Sequence, residues 1–92
     1  MKTLKVTYFH ISPEGYGHWK ITIDVYDISD PTIDYQREQY SHTTSNMPLI
    51  DRIRGAEDGD EDAANARVTA SELTLERNGI EYDGLIMDSI YK

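Results

Sequence analysis

The strongest constraint on this chain is a ten-residue segment, 18 to 27, in which apolar and polar side chains alternate. Its odd-numbered positions carry Trp19, Ile21, Ile23 and Val25, whereas its even-numbered positions carry polar residues and one tyrosine. Successive side chains of a β-strand point to opposite faces, so this period of two predicts a strand with one buried face. Such a strand needs partner strands and a layer that covers its apolar side.

Residues 3 to 11 predict the first partner strand. Their apolar side chains fall on two faces, with Leu4, Val6 and Tyr8 on one and Phe9 and Ile11 on the other. Between the two strands, Ser12-Pro13-Glu14-Gly15 predicts a hairpin turn, since Pro and Gly occupy the positions that a type I turn favours. A four-residue loop places the face of Leu4, Val6 and Tyr8 beside Trp19 on the buried side, and this is the predicted register. A three-residue loop, which breaks that match, remains the alternative.

A third, more polar strand is predicted at residues 35 to 45, after a loop at residues 28 to 34 that is marked by Asp and Pro. The three strands predict an antiparallel meander. Residues 80 to 92 are too short for periodicity to distinguish helix from strand.

Two helices follow the third strand. The first is short, can be capped by Ser45 or Asn46, and stops at Gly55. The second spans residues 61 to 78 and ends at Asn78-Gly79, a pair that favours a left-handed cap. Its apolar residues form two stripes, Ala66, Ala70 and Leu73 on one side and Ala64, Val68 and Leu75 on the other. The sequence therefore predicts a single α+β domain, residues 1–92, with a three-stranded antiparallel sheet packed against one short and one longer helix.

Composition limits the function classes. The chain has 17 acidic and nine basic residues, a net charge of −8 and no cysteine. Disulfides, thiolate metal sites and cysteine nucleophiles are thereby excluded, and the negative charge argues against direct binding to nucleic acid or to acidic membranes. The N-terminus lacks the apolar run of a signal peptide, which predicts a cytoplasmic protein.

No motif predicts catalysis, a cofactor or a metal. The histidines His10, His18 and His42 lack ligand spacing, and the predicted register places the first two on opposite faces. Asp58, Asp60 and Asp62 imitate the start of a calcium loop, but the Gly and Glu that such a loop requires are absent. We expect a non-enzymatic protein.

The acidic segment is the first candidate for partner binding. It consists of Glu57, Asp58, Asp60, Glu61 and Asp62, and it predicts a solvated turn leading into the second helix. A surface of this charge favours a protein partner with a basic surface. Tyr35 and Tyr40 are the second candidates, as exposed sheet tyrosines of the kind enriched at protein interfaces.

Two motifs carry a resemblance. The segments Gly15-Tyr16-Gly17-His18 and Thr43-Thr44-Ser45-Asn46-Met47-Pro48-Leu49-Ile50-Asp51 resemble short uncharacterised proteins of Bacteroides-type bacteria and their mobile elements. The resemblance covers roughly the first 55 residues, judged by motif spacing, and this sequence departs from it by the inserted Ser45 and the loop at 28 to 34. It implies an intracellular bacterial protein from a mobile element, and it assigns no activity and no site residue.

The leading hypothesis is a non-enzymatic protein-interaction module, and its narrower form is an inhibitor whose acidic surface imitates nucleic acid. One alternative is a small-ligand or metal-binding domain that uses the histidines and sheet tyrosines. The other is a homo-oligomeric structural protein.

Overall fold

The computed structural model describes residues 2–29, 37–54 and 61–87. It contains four strands and two helices in these ranges: β1 (Thr3–Gly15), β2 (His18–Asp27), β3 (Glu38–Thr44), α1 (Met47–Arg54), α2 (Glu61–Arg77) and β4 (Gly84–Met87). The strand order in the sheet is β3-β2-β1-β4. The predicted α+β class is confirmed, as are both helices and the antiparallel arrangement of the first three strands.

The predicted three-stranded sheet is wrong in one respect, because β4 adds a fourth strand parallel to β1. Three hydrogen bonds hold the start of β4: the amides of Asp83 and Gly84 donate to the Lys2 carbonyl at 2.7 and 3.2 Å, and the Lys2 amide donates to the Asp83 carboxylate at 2.6 Å. A four-residue strand is too short to show a period in the sequence. The sheet is therefore mixed.

A β-bulge in β1 resolves the two apolar faces seen in its sequence. Val6 lies opposite Val25 and Tyr8 lies opposite Asp24, so Thr7 is left unpaired between them. The extra residue reverses the alternation. Leu4 and Val6 before the bulge therefore share the buried face with Phe9 and Ile11 after it, whereas Tyr8 is 43% exposed. The predicted placement of Tyr8 on the buried face is wrong.

The hairpin turn lies three residues later than predicted. Gly15 pairs with His18, so Tyr16-Gly17 forms a two-residue turn, and Ser12 and Pro13 belong to β1. Gly15 and Gly17 have φ values of 130° and 69°, which glycine adopts without the clash that a Cβ atom causes. The two glycines with positive φ thus mark the turn, rather than the Pro-Gly spacing.

Both helices begin where their residues predict, and the predicted stop of α1 at Gly55 lies outside the described residues. The Asn46 side chain accepts the Leu49 amide at 3.2 Å, which caps α1. At the end of α2, Gly79 has a φ of 70°, and the Ile80 amide donates to the Leu75 carbonyl at 3.0 Å. This is the Schellman arrangement. It turns the chain back towards the sheet, and α2 ends at Arg77, one residue earlier than predicted.

The core lies between the helices and one face of the sheet. Ile21, Ile23 and Val25 of β2 are almost fully buried there, against Ile50 of α1 and Leu75 of α2. The second predicted stripe of α2 is only partly buried. In it Leu75 is buried, Val68 is half-buried and Ala64 is exposed.

The other side of the sheet, which we call the open face, has no described helix or strand lying over it. It carries the side chains that alternate with the core residues: Lys5, Tyr8, His10 and Ser12 of β1, His18, Lys20, Thr22, Asp24 and Tyr26 of β2, Gln39, Ser41 and Thr43 of β3, and Ile86 of β4.

Candidate functional site

The acidic segment lies partly outside the described residues. Glu57, Asp58 and Asp60 fall there, and Glu61 is described only as the first residue of α2. Asp62 is exposed, and its Oδ1 accepts bonds from Arg52 Nη2 at 2.8 Å and from Arg52 Nε at 3.1 Å. The ion pair joins the last turn of α1 to the start of α2, and it already offsets the charge of Asp62.

Of the two candidate tyrosines, Tyr35 lies outside the described residues. Tyr40 is half-buried rather than exposed, because it lies opposite Ile23 on the helix side of the sheet and packs against the core. Its hydroxyl donates to the Glu38 carboxylate. This bond, together with burial, raises the pKa of Tyr40 to about 12. Tyr40 is therefore not the exposed sheet tyrosine that the sequence predicts.

The predicted separation of His10 and His18 is wrong. His10 lies opposite Thr22, and His18 is four residues before Thr22 on the same strand, so both side chains lie on the open face. The Thr7 bulge causes the change, because it reverses the alternation before His10. At a rise of about 3.3 Å per residue the two imidazoles are roughly 13 Å apart along the sheet, which is too far for one metal ion.

His42 lies on the covered face and contacts α2. Its Nδ1 is 2.7 Å from Thr74 Oγ1, and that hydroxyl donates to the Ala70 carbonyl at 2.8 Å. Because the hydroxyl hydrogen is already used, His42 Nδ1 must donate its own hydrogen. Burial, and to a lesser degree the charge of Arg77, lowers the pKa of His42. The residue therefore has a packing role.

An acidic concave surface formed by the described residues was not predicted. It is a groove of about 940 Å³, widely open to solvent, between the C-terminal half of α2 and the segment that leads into β4. Its lining residues are Lys2, Glu72, Glu76, Gly79, Ile80, Glu81, Tyr82 and Asp83. Four of these eight residues are acidic and one is basic, so the groove concentrates negative charge.

Helix geometry and the Gly79 turn assemble the groove. Glu72 and Glu76 are one turn apart on the exposed side of α2, where residues at this spacing are neighbours. The turn at Gly79 sends the chain back beside them, and Asp83 is held at the sheet edge by its bonds to Lys2. The carboxylates thus come from two segments that meet only after folding.

Tyr82 reports the electrostatic character of the groove. Burial is the larger cause that raises the pKa of its phenol, and the charges of Glu72 and Glu76 raise it further. A second negative charge is disfavoured there because the carboxylates already create a negative potential. By the same physics, a cation is favoured.

A signal for the groove exists in the sequence, in the spacing of Glu72 and Glu76 and in the Glu81-Tyr82-Asp83 run. It was missed because charges on a helix usually form a solvated face, and nothing local shows that the run returns beside the helix. The denser acidic segment at 57 to 62 drew the prediction instead.

The described residues form neither a metal-binding cluster nor a membrane-spanning helix. Within the described ranges, no three His, Asp or Glu side chains lie close enough together to hold a metal ion. Neither of the two described helices has the length and apolar composition needed to cross a membrane. Among known proteins, no family model, no curated protein and no solved structure matches the chain.

Proposed function

We propose that this protein is a non-enzymatic interaction module that binds a protein partner with a basic surface. The observation that carries the proposal is the groove, in which Glu72, Glu76, Glu81 and Asp83 surround Tyr82 with a single cationic neighbour, Lys2. Charge complementarity of this kind selects partners and speeds their association.

The groove suits a lysine or arginine side chain of the partner. Its carboxylates offer acceptors for the cationic head, while Ile80 and the ring of Tyr82, both half-buried, offer apolar surface for the methylene stem. A cation placed over the tyrosine ring gains a further attraction of about 0.5–1 kcal/mol at an exposed site. A partner contact of this type requires no catalytic reaction by the protein.

The acidic segment 57 to 62, which precedes α2, is the second acidic feature of the chain. Six of the 17 acidic residues of the chain, and only one of its nine basic residues, lie outside the described ranges. In the narrower form of the proposal, the partner is an enzyme that normally grips nucleic acid, and the protein inhibits it by presenting a nucleic-acid-like charge surface.

The test is affinity capture from a lysate of the source organism, with identification of the captured proteins. The native chain is compared with a groove variant, Glu72→Gln with Glu76→Gln, and with a control of equal charge change away from the groove, Glu14→Gln with Asp51→Asn. A basic protein retained by the native chain and the control, lost from the groove variant and released by salt, supports the proposal.

A third variant separates the groove from the acidic segment. It neutralises the five acidic residues Glu57, Asp58, Asp60, Glu61 and Asp62. Loss of the partner only in this variant places binding on the segment and overturns the role of the groove. Equal capture by the native chain and all the variants contradicts an acidic binding surface altogether. A captured nucleic-acid enzyme that is released by added DNA supports the inhibitor form.

One observation favours the second candidate, small-ligand or metal binding through histidines and sheet tyrosines. The rings of Tyr8 and His10 stack on the open face, with centroids 6.2 Å apart and planes 27° apart. A rise in melting temperature on adding divalent metal ions, abolished by His10→Ala, would favour this candidate over a protein partner.

A further inference from the structure

The open face carries a mixture of side chains typical of protein interfaces. Tyr8 and Ile86 are 43% and 45% exposed on it. Tyr8 lies opposite Asp24 and stacks on His10, and Ile86 lies opposite Lys5. Aromatic residues such as Tyr8 are enriched at interfaces relative to the remaining protein surface. Sheets that leave one face in solvent usually line it with polar residues, and Tyr8 and Ile86 add exposed apolar surface to this otherwise polar face.

The charges on β2 are ordered in a self-complementary way. Lys20, Thr22 and Asp24 follow one another on the open face at two-residue spacing, with opposite charges at equal distances from Thr22. The carboxylate of Asp24 is held on this face by a bond from Gln39 Nε2 at 3.2 Å. A two-fold axis that crosses β2 at Thr22 would bring each charge of one copy onto the opposite charge of another.

We propose that the open face packs against the open face of a second copy of this chain, so that Lys20 of each copy pairs with Asp24 of the other. A two-fold interface uses the same patch on both subunits, and any contact between two different residues then occurs twice. Both ion pairs therefore form together. A displacement of the two sheets by one pair of residues along β2 loses both of them.

The position of Tyr8 on β1 agrees with this arrangement. The two-fold axis keeps β1 over β1 and reverses its direction, so the row that contains Tyr8 meets the row that contains Ser12. The aromatic ring thus meets a small side chain, which facing sheets about 10 Å apart can accommodate.

The area of the open face sets the expected strength of dimerisation. Four strands about 4.8 Å apart, with about seven residues each at a rise of about 3.3 Å, outline roughly 450 Å² per copy. Interfaces of about this size lie below those of stable dimers and are usual for weak, reversible association. Glu72 and Glu76 of the groove belong to α2 on the covered side of the sheet, so the groove remains accessible in the dimer.

The test is sedimentation or light scattering from low-micromolar to millimolar protein. The native chain should show reversible dimerisation. The reversals Lys20→Glu and Asp24→Lys, made separately, should each raise the dissociation constant at least roughly tenfold, because each places like charges together twice. Asp51→Lys, an equal charge change on α1, should leave the dimer unchanged.

A mixture of the two charge-reversal variants tests whether Lys20 of one copy faces Asp24 of the other. In a mixture of the Lys20→Glu and Asp24→Lys proteins, the two introduced side chains face each other across the interface, and so do the native Asp24 of one copy and the native Lys20 of the other. The mixture should therefore dimerise although neither protein does so alone. Thr22→Arg, at the axis, should also abolish dimerisation, and circular dichroism shows that each variant is folded.

A chain that stays monomeric at millimolar concentration overturns the proposal, as does a dimer that tolerates both reversals. Failure of the folded mixture to dimerise overturns it too, because the reversals would then act through something other than this pairing.

Discussion

Removing each of two hydroxyl groups buried on α2 should change the free energy of unfolding in opposite directions. Thr74 Oγ1 bridges His42 and the Ala70 carbonyl, at 2.7 and 2.8 Å. Ser71 Oγ, three residues earlier, is equally buried but has no hydrogen-bond partner among the described residues. The two positions form a matched pair, with the same helix, the same depth and the same functional group.

Thr74→Val keeps the shape of the side chain and removes its hydroxyl. The Ala70 carbonyl still accepts its helical amide, so the loss falls on the Nδ1 hydrogen of His42. A buried donor left without a partner costs about 1–3 kcal/mol. His42 is only half-buried and can reach water, which favours the lower limit, about 1 kcal/mol. For a domain of this size, that lowers the melting temperature by about 4–8 °C.

Ser71→Ala removes a hydroxyl that gains nothing from burial. The substitution relieves its desolvation, and alanine has the higher helix propensity by up to about 0.5 kcal/mol. We expect the free energy of unfolding to rise by about 1 kcal/mol or to stay unchanged.

Urea denaturation near neutral pH, followed by circular dichroism with both variants in parallel, measures these effects. The reasoning is refuted if Thr74→Val has no effect, or if Ser71→Ala destabilises the protein as much as Thr74→Val does. The first result would mean that the hydrogen bond to His42 contributes nothing to stability. The second would mean that Ser71 has a hydrogen-bond partner in solution.

Three further outcomes are expected. Deleting Thr7 should preserve the fold, because it removes the unpaired residue of the bulge. Deleting His10 should instead move the side chains on one side of the deletion in β1 to the opposite face of the sheet, and thermal melts should show a much larger loss of stability. Gly79→Ala should cost about 1 kcal/mol in urea denaturation, since its φ of 70° disfavours a Cβ atom although no described atom would collide with it. Because the pKa of His42 is lowered in the folded state, its neutral form stabilises the fold above the ordinary value of about 6.5 and the benefit is lost as the pH falls. His42→Gln should therefore flatten the decrease in unfolding free energy on acidification.

The local sequence pattern was sufficient for prediction where the structure of an element depends only on its own residues. The alternation from Trp19 to Val25 predicted both the β2 strand and its buried face, because side-chain direction along a strand depends only on residue number. The cap at Asn46 and the stop at Gly79 were likewise predicted, since a cap depends on the chemistry of one or two residues.

Prediction failed where one residue changes the alternation of many others. In the sequence the bulge at Thr7 shows only as a change of apolar face between Val6 and Phe9, yet it moves Tyr8 off the core face and brings His10 to the same face as His18. The hairpin turn was misplaced for a related reason, because the Pro-Gly spacing competed with the tight turn at Tyr16-Gly17.

The sequence by itself determined the class of the fold, the order of its first five elements, the buried face of β2 and the excess of negative charge. Only the tertiary structure decided that β4 pairs with β1, that Glu72 and Glu76 meet Tyr82 in one groove, and that Lys20 and Asp24 share an uncovered face with Tyr8. The division has a physical reason: periodicity and capping act between residues close in the chain, whereas pairing register and surface charge depend on contacts between residues far apart in it.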